Sequence, residues 1–366
     1  MASLSSAELA YQQAHIGDNR GQEIVAVSIF LIAISVPAVI FRFVARLARH
    51  LPLGWDDWLC IPALVMIVAE CAINLVSVHF GFGKHVIATD QLTAYKILEA
   101  GWFLSVAYVL GHFFLKTAIV LTYIRIFTMR LTWFKWAIWA CIFWNSAWAL
   151  SLLITVLVEC RPLNFYWEQA NPANPTATGV CTINEKATEI VSNALSVVAD
   201  IALLIIPLFV IWQLKLSGVR KFAVAAIFAV GAFACAASVF RLTTTLSVIS
   251  KGGNDPTWDL VDVYLWTAVE GAVGLLCACF PVFGPLLSLW KNKMQSIYAS
   301  RTSQTKSSGY MISRSKESAV SSGRPWRKVS ASQDSTGASI DMEPLHTKGM
   351  PPQTKQQMRD DQDSWA

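Results

Sequence analysis

The sequence predicts an all-α membrane protein, a bundle of seven transmembrane helices. Three observations predict it: seven long apolar stretches, a composition poor in charge, and short loops whose cations favour one side. The stretches run over 24–41, 58–80, 95–123, 136–159, 187–212, 222–249 and 263–290. A helix rises about 1.5 Å per residue, so each is long enough to cross a hydrocarbon layer about 30 Å thick. Backbone in lipid is satisfied only within helices or closed barrels, and runs that are continuous rather than alternating select helices. Hydrophobic residues make up 54% of the chain and charged ones 14%, against about a quarter charged in soluble domains. The net charge of +5 does not point to nucleic acid, because the basic residues lie in loops and tail rather than on a basic-aromatic module.

The stretches divide the chain into a short polar segment (1–23), one transmembrane domain (24–290) and a tail (291–366). Lysine and arginine concentrate in cytoplasmic loops. Loops 42–57, 124–135 and 213–221 carry Arg42, Arg46, Arg49, Arg125, Arg130, Lys135, Lys215, Arg220 and Lys221. The alternate segments carry only Arg20, Lys84, Arg161, Lys186 and Lys251. The tail adds Lys291, Lys293, Arg301, Lys306, Arg314 and Lys316 before its first acid, Glu317. The expected orientation is therefore N-terminus outside and C-terminus cytoplasmic, in a multi-pass protein placed in the plasma membrane. No apolar segment precedes the first stretch, so the first helix is expected to act as its own targeting signal.

Short motifs mark the element ends. Asp56 and Asp57 suit the start of the second helix as N-cap and macrodipole partners. Gly81 and Gly83 release the chain from that helix into a turn. Gly-Phe-Gly-Lys-His over 81–85 lacks the spacing and hydroxyl residue of a phosphate loop. Pro37, Pro62, Pro207, Pro281 and Pro285 are candidate kinks. Six cysteines fall within apolar stretches as small buried side chains; Cys277 and Cys279 point apart on a helix, so no metal set is expected. Cys160 and Cys181 both fall in the long outer loop, where an oxidising environment permits a disulfide, the alternative being two free thiols. The serine-rich tail cannot bury a core and is expected to be disordered. Ser330, after Arg327-Lys328-Val329, fits a basic-directed phosphorylation site, against the plainer reading of a solvated tail.

Five ionisable residues, Glu70, Lys116, Asp200, Arg241 and Glu270, sit within apolar stretches, and His112 lies one turn before Lys116. Each charge is costly in lipid unless paired or hydrated, so these groups face the interior. They form either a polar ligand site or switch, or a set of structural pairs that fix helix packing. Arg241 and Glu270 lie about 10–12 Å below the outer ends of consecutive antiparallel helices, and are predicted to pair.

Several motifs in order carry a resemblance. They are Arg42-x3-Arg46, then Gly54-Trp55-Asp56-Asp57-Trp58, then Gly83 with His85, and Tyr123 with Arg125 at the end of the third helix. Cys160-Arg161-Pro162 with Trp167 and Cys181, Pro207 in the fifth helix, and Trp266-x3-Glu270 with Pro281 complete the set. Together they resemble the fungal rhodopsin-domain family of seven-helix integral membrane proteins, which includes a member of the satratoxin biosynthetic cluster and is related to receptor-like surface-sensing proteins. The resemblance implies a receptor-like protein of a filamentous fungus that senses a small molecule or surface cue, with a possible link to secondary metabolism. It implies the lipid bilayer and a cytoplasmic signalling partner as associates, and no catalysis. Retinal is not expected, since the seventh stretch holds no lysine for a Schiff base. The third helix ends Tyr123-Ile124-Arg125 rather than Asp-Arg-Tyr, so coupling to a G protein rests on analogy. The alternative is a membrane-embedded enzyme or exporter of a secondary-metabolite pathway. No histidine boxes support the enzyme, and no inverted repeat supports the transporter.

Overall fold

The computed structural model describes residues 6–126, 132–212, 218–252 and 255–281. A short helix α1 (Ser6–Ala14) precedes the long helices α2 (Gly21–Ala48), α3 (Trp55–His79), α4 (Gln91–Ile126) and α5 (Thr132–Val158). The α5–α7 connection holds a short helix α6 (Phe165–Glu168) between two-residue strands β1 (Cys160–Arg161) and β2 (Val180–Cys181). Then follow α7 (Glu185–Trp212), α8 (Gly218–Ser250), the single turn α9 (Pro256–Asp259) and α10 (261–281). Among the described residues seven helical segments are long and apolar enough to span a membrane. The seven-helix expectation therefore stands. The tail, with Ser330, and residues 282–290 of the seventh stretch lie outside the described residues.

The helices run longer than the apolar stretches, and the reasons are local. α2 was expected to end near residue 41 but continues to Ala48, because Arg42 and Arg46 are buried rather than solvated. It stops where His50 takes a positive φ of 50°, and the Leu51 amide folds back to the Arg46 carbonyl at 3.1 Å. α3 begins behind Gly54, an extended residue whose amide donates to the Asp57 carboxylate at 3.0 Å. Pro37, Pro62 and Pro207 lie inside α2, α3 and α7.

α3 packs most extensively along α4, α2 lies on α3, α5 touches both α4 and α7, and α8 lies on α7. The shared apolar core joins Leu31 and Val39 of α2, Ile67 and Cys71 of α3, Leu115 and Ala118 of α4, and Ala272 and Leu275 of α10. The segment containing α10 is the most buried of the seven, and α5 the least. Trp136 and Phe143 of α5 are 73% and 76% exposed, which suits a lipid-facing surface.

The face at which α2 begins is closed by a corner of short contacts. Gly83, at φ 96°, comes so close to α2 that an added Cβ would stand 2.5 Å from the Gly21 amide nitrogen. Its amide donates to Thr257 O at 3.0 Å, and its carbonyl accepts from Arg20 at 2.9 Å. The His85 ring meets Asp255 Oδ2 through Nδ1 at 2.5 Å and stacks on Trp258 at 4.2 Å. The Gly-x-Gly-Lys-His motif is thus a structural corner. β1 and β2 pair antiparallel with Cys160 opposite Cys181, and the two cysteines are bridged.

Candidate functional site

Six ionisable residues singled out in the sequence converge in the core from five helices: Glu70 (α3), His112 and Lys116 (α4), Asp200 (α7), Arg241 (α8) and Glu270 (α10). Lys116 Nζ lies 2.8 Å from Asp200 Oδ1 and donates to Ser196 Oγ at 2.9 Å. Ser196 Oγ in turn donates to Glu270 Oε1 at 3.5 Å. Glu270 Oε2 forms an ion pair with Arg241, 2.8 Å from its Nε, and Glu270 Oε1 faces His112 Nε2 at 3.3 Å. The far oxygen of Asp200 accepts from Ser238 at 2.5 Å. One polar chain therefore crosses from α7 through α4 to α10 and α8, and each ion pair is nearly or wholly removed from solvent.

Sequence spacing explains how these side chains meet. His112 and Lys116 are four apart and share one face of α4. Small residues let the helices approach: an added Cβ on Gly271 would lie 3.3 Å from Ile67, and one on Gly111 3.2 Å from Glu70 Oε1. Aromatic rings wall the site, with the Arg241 guanidinium 4.7 Å above Tyr108 and Lys116 Nζ 5.7 Å from Trp148. Glu70 stands apart: it is fully buried and neither carboxyl oxygen has a hydrogen-bond partner among the described residues.

A second ionic cluster sits at the opposite face, and the sequence reading missed it. Arg42 reaches Asp57 at 2.8 Å and Asp56 at 2.6 Å, and also donates to the Ala278 carbonyl of α10. Arg46 adds contacts of 3.1 and 3.2 Å to the same two carboxylates. Arg125, at the end of α4, reaches Asp56 at 2.9 Å and Asp57 at 3.1 Å. Asp56 and Asp57 are therefore not simple caps, and Arg42 and Arg46 are not loop cations. The signal was available: two arginines one turn apart on α2 face two adjacent aspartates across a short connection. Burial and these three guanidinium partners hold the Asp57 carboxylate firmly in place at the helix start.

The remaining motif residues have plainer places. Trp58 is 53% exposed and meets Phe43 edge-on. Tyr123 donates to the Leu203 carbonyl at 3.1 Å, and Trp266 stacks on Phe240 at 4.8 Å. Trp167 packs edge-on against Trp102 at 5.8 Å, close to where Pro162 follows β1. Pro281 lies at the end of the described part of α10. At the rim beside the disulfide, burial first and then the facing Glu185 carboxylate push the Glu159 carboxyl up to about 7.

This architecture defines a polytopic helical membrane protein with a charged core and an ionic clasp at one end. Residues 41–289, two thirds of the chain, match the fungal rhodopsin domain, and the chain belongs to that family. It is 29% identical over 232 residues to a SAT4 family membrane protein of Emericella nidulans, covering 62% of this chain and 53% of that one. It is 28% identical to the Receptor GIN3 of Arthrobotrys oligospora, over 57% of this chain and 47% of the receptor. It is 26% identical to the Fugralins biosynthesis cluster protein 2 of Gibberella zeae, over 48% and 42%. The chain spans about half the length of these curated relatives. No solved structure matches it.

Proposed function

We propose that the protein is a receptor-like sensor of a small molecule or surface cue, acting through the buried ionic core and not through catalysis. The observation that carries this reading is the polar chain Asp200–Lys116–Ser196–Glu270–Arg241, which ties four helices together. Buried ion pairs have few alternative arrangements, so a ligand that displaces one member moves a helix in a discrete step. A relative named as a receptor supports the reading. The cytoplasmic partner docks, on this reading, at the face that carries the Arg42–Asp56–Asp57–Arg125 cluster, in a protein of the plasma membrane.

On this reading no retinal is bound, since 263–290 contains no lysine for a Schiff base and Lys116 Nζ is paired with Asp200 and Ser196. The proposed sensor therefore works without that cofactor.

A second reading is favoured by the relatives named for the fugralin, polyenoic acid and wortmanamide biosynthesis clusters: an exporter or membrane enzyme serving such a pathway. A deletion strain complemented with wild type or with Lys116→Met distinguishes them. Loss of a transcriptional or surface response that only wild type restores supports the receptor. A product retained inside the cell supports the exporter, and an accumulated precursor supports the enzyme.

A further inference from the structure

The charges of the core do not balance as they stand. Lys116 and Arg241 supply two positive charges, while Glu70, Asp200 and Glu270 supply three negative ones if all are ionised. Glu189, half-buried on α7 and within electrostatic reach of Arg241, adds an acid rather than a cation. A net charge left in a low-dielectric interior is costly. The surplus is felt at Glu70, whose two oxygens lack any hydrogen-bond partner among the described residues although the side chain is fully buried.

The neighbouring histidine meets the same problem. His112 Nδ1 faces the Tyr108 carbonyl at 3.1 Å, and a carbonyl only accepts, so this nitrogen carries a hydrogen. Its Nε2 faces Glu270 Oε1 at 3.3 Å. A neutral ring then turns a lone pair toward a carboxylate, and a charged ring turns an N–H toward it. Gly111 brings α4 against Glu70, and Gly271 brings α10 against His112, so Glu70, His112 and Glu270 line one junction of three helices. A single added proton, on either Glu70 or His112, balances the charges of Lys116, Arg241, Glu70, Asp200 and Glu270, with Glu189 outside this count.

We propose that this junction binds one exchangeable proton, held between Glu70 and His112, and that the proton keeps the ionic core neutral. A proton needs no cavity. The groups facing it are Cys71 on α3 itself, Tyr108 on α4, Arg241 on α8 and Glu270 on α10, and behind these stand Lys116 on α4 and Asp200 and Glu189 on α7. α2, which also packs on α3, carries ionisable groups only toward its ends, at Glu23, Arg42 and Arg46. The proposal does not depend on the receptor reading.

The test uses the full-length protein in one detergent, unfolded chemically between pH 7 and 9. In the unfolded chain Glu70 is ionised and His112 largely neutral there, so wild type releases one more proton on unfolding than Glu70→Gln. The wild-type folding constant is therefore expected to fall by a further factor of about ten per pH unit relative to Glu70→Gln, in which two cations already balance two acids. His112→Gln is expected to keep the wild-type slope, with the proton confined to Glu70. Infrared spectra of that variant labelled with ¹³C-glutamate then show an un-ionised glutamate carbonyl persisting at pH 9, above the range in which Glu159 ionises. Equal slopes in wild type and Glu70→Gln, or no such carbonyl band in His112→Gln, overturn the proposal. If Glu70→Gln and Glu70→Met fail to fold while Glu70→Asp folds, the site requires an anion and the proposal falls as well.

Discussion

Arg241 and Glu270 illustrate what one buried residue demands of another. Their groups lie 2.8 Å apart with almost no exposure, so removing either strands the other in low dielectric. Arg241→Ala or Glu270→Ala is expected to cost about 2–5 kcal/mol, and the double variant less than the sum, in a thermal double-mutant cycle. Strictly additive losses would contradict the contact. This pair was legible in the sequence because depth along consecutive helices can be counted. The roles of Ser196, Ser238 and Tyr108 were not, because rotation about each helix axis is set by packing rather than by position. The same limit hid the arginine–aspartate cluster: charges at the ends of apolar stretches read as loop charges until two helix ends are brought together. Asp57→Ala leaves Arg42, Arg46 and Arg125 short of one partner each and frees the Gly54 amide, so it is expected to destabilise by about 3–5 kcal/mol. Trp58→Ala next door, at an exposed position, serves as the control and should be nearly neutral.

Among the elements, the helices were readable from hydropathy while the connection between α5 and α7 was not. Two-residue strands leave no periodicity, and only the cysteines signalled that the chain returns on itself at Cys160 and Cys181. The bridge closes a separation of 21 residues, so Cys160→Ser is expected to cost about 3 kcal/mol by the chain-entropy argument. Cys181→Ser should cost the same, and the double variant no more; mass spectrometry finding both thiols free would refute the bridge. The Glu159 carboxyl adds a pH dependence at this rim. Its folded value is raised to about 7 by burial and by Glu185, above the ordinary value of a free glutamate, 4.5. Its favourable contribution is therefore complete below the ordinary value and is lost as pH rises to about 7. Acidification from pH 7.5 to 5 is expected to stabilise the wild-type rim by about 1 kcal/mol after solvent screening. A melting temperature that changes with pH as much in Glu159→Gln as in wild type would assign the effect elsewhere.

For the whole molecule, the direction across the membrane follows from how charges are counted, and the two ionic clusters bear on that count. Arg42, Arg46 and Arg125 are bound to Asp56 and Asp57 in the finished fold, and on the other face Arg20 is bound to Asp262 and Lys251 to Asp259. Insertion reads lysines and arginines before such pairs form, and acidic residues contribute little to it. All of these cations therefore count, and the excess stays on the side of the 42–57, 124–135 and 213–221 connections and the basic start of the tail. We infer that α2 begins outside and that the tail is cytoplasmic, which would put the His85–Asp255 corner and the disulfide in the extracellular medium and the Arg42 cluster toward the cytoplasm. A tag after Ala366 is then expected to resist protease added to intact cells, while a tag before Ala2 is cleaved. Cleavage at Ala366 with protection at Ala2 would reverse the orientation and move the signalling face, on the receptor reading, from the arginine–aspartate cluster to the corner around Gly83.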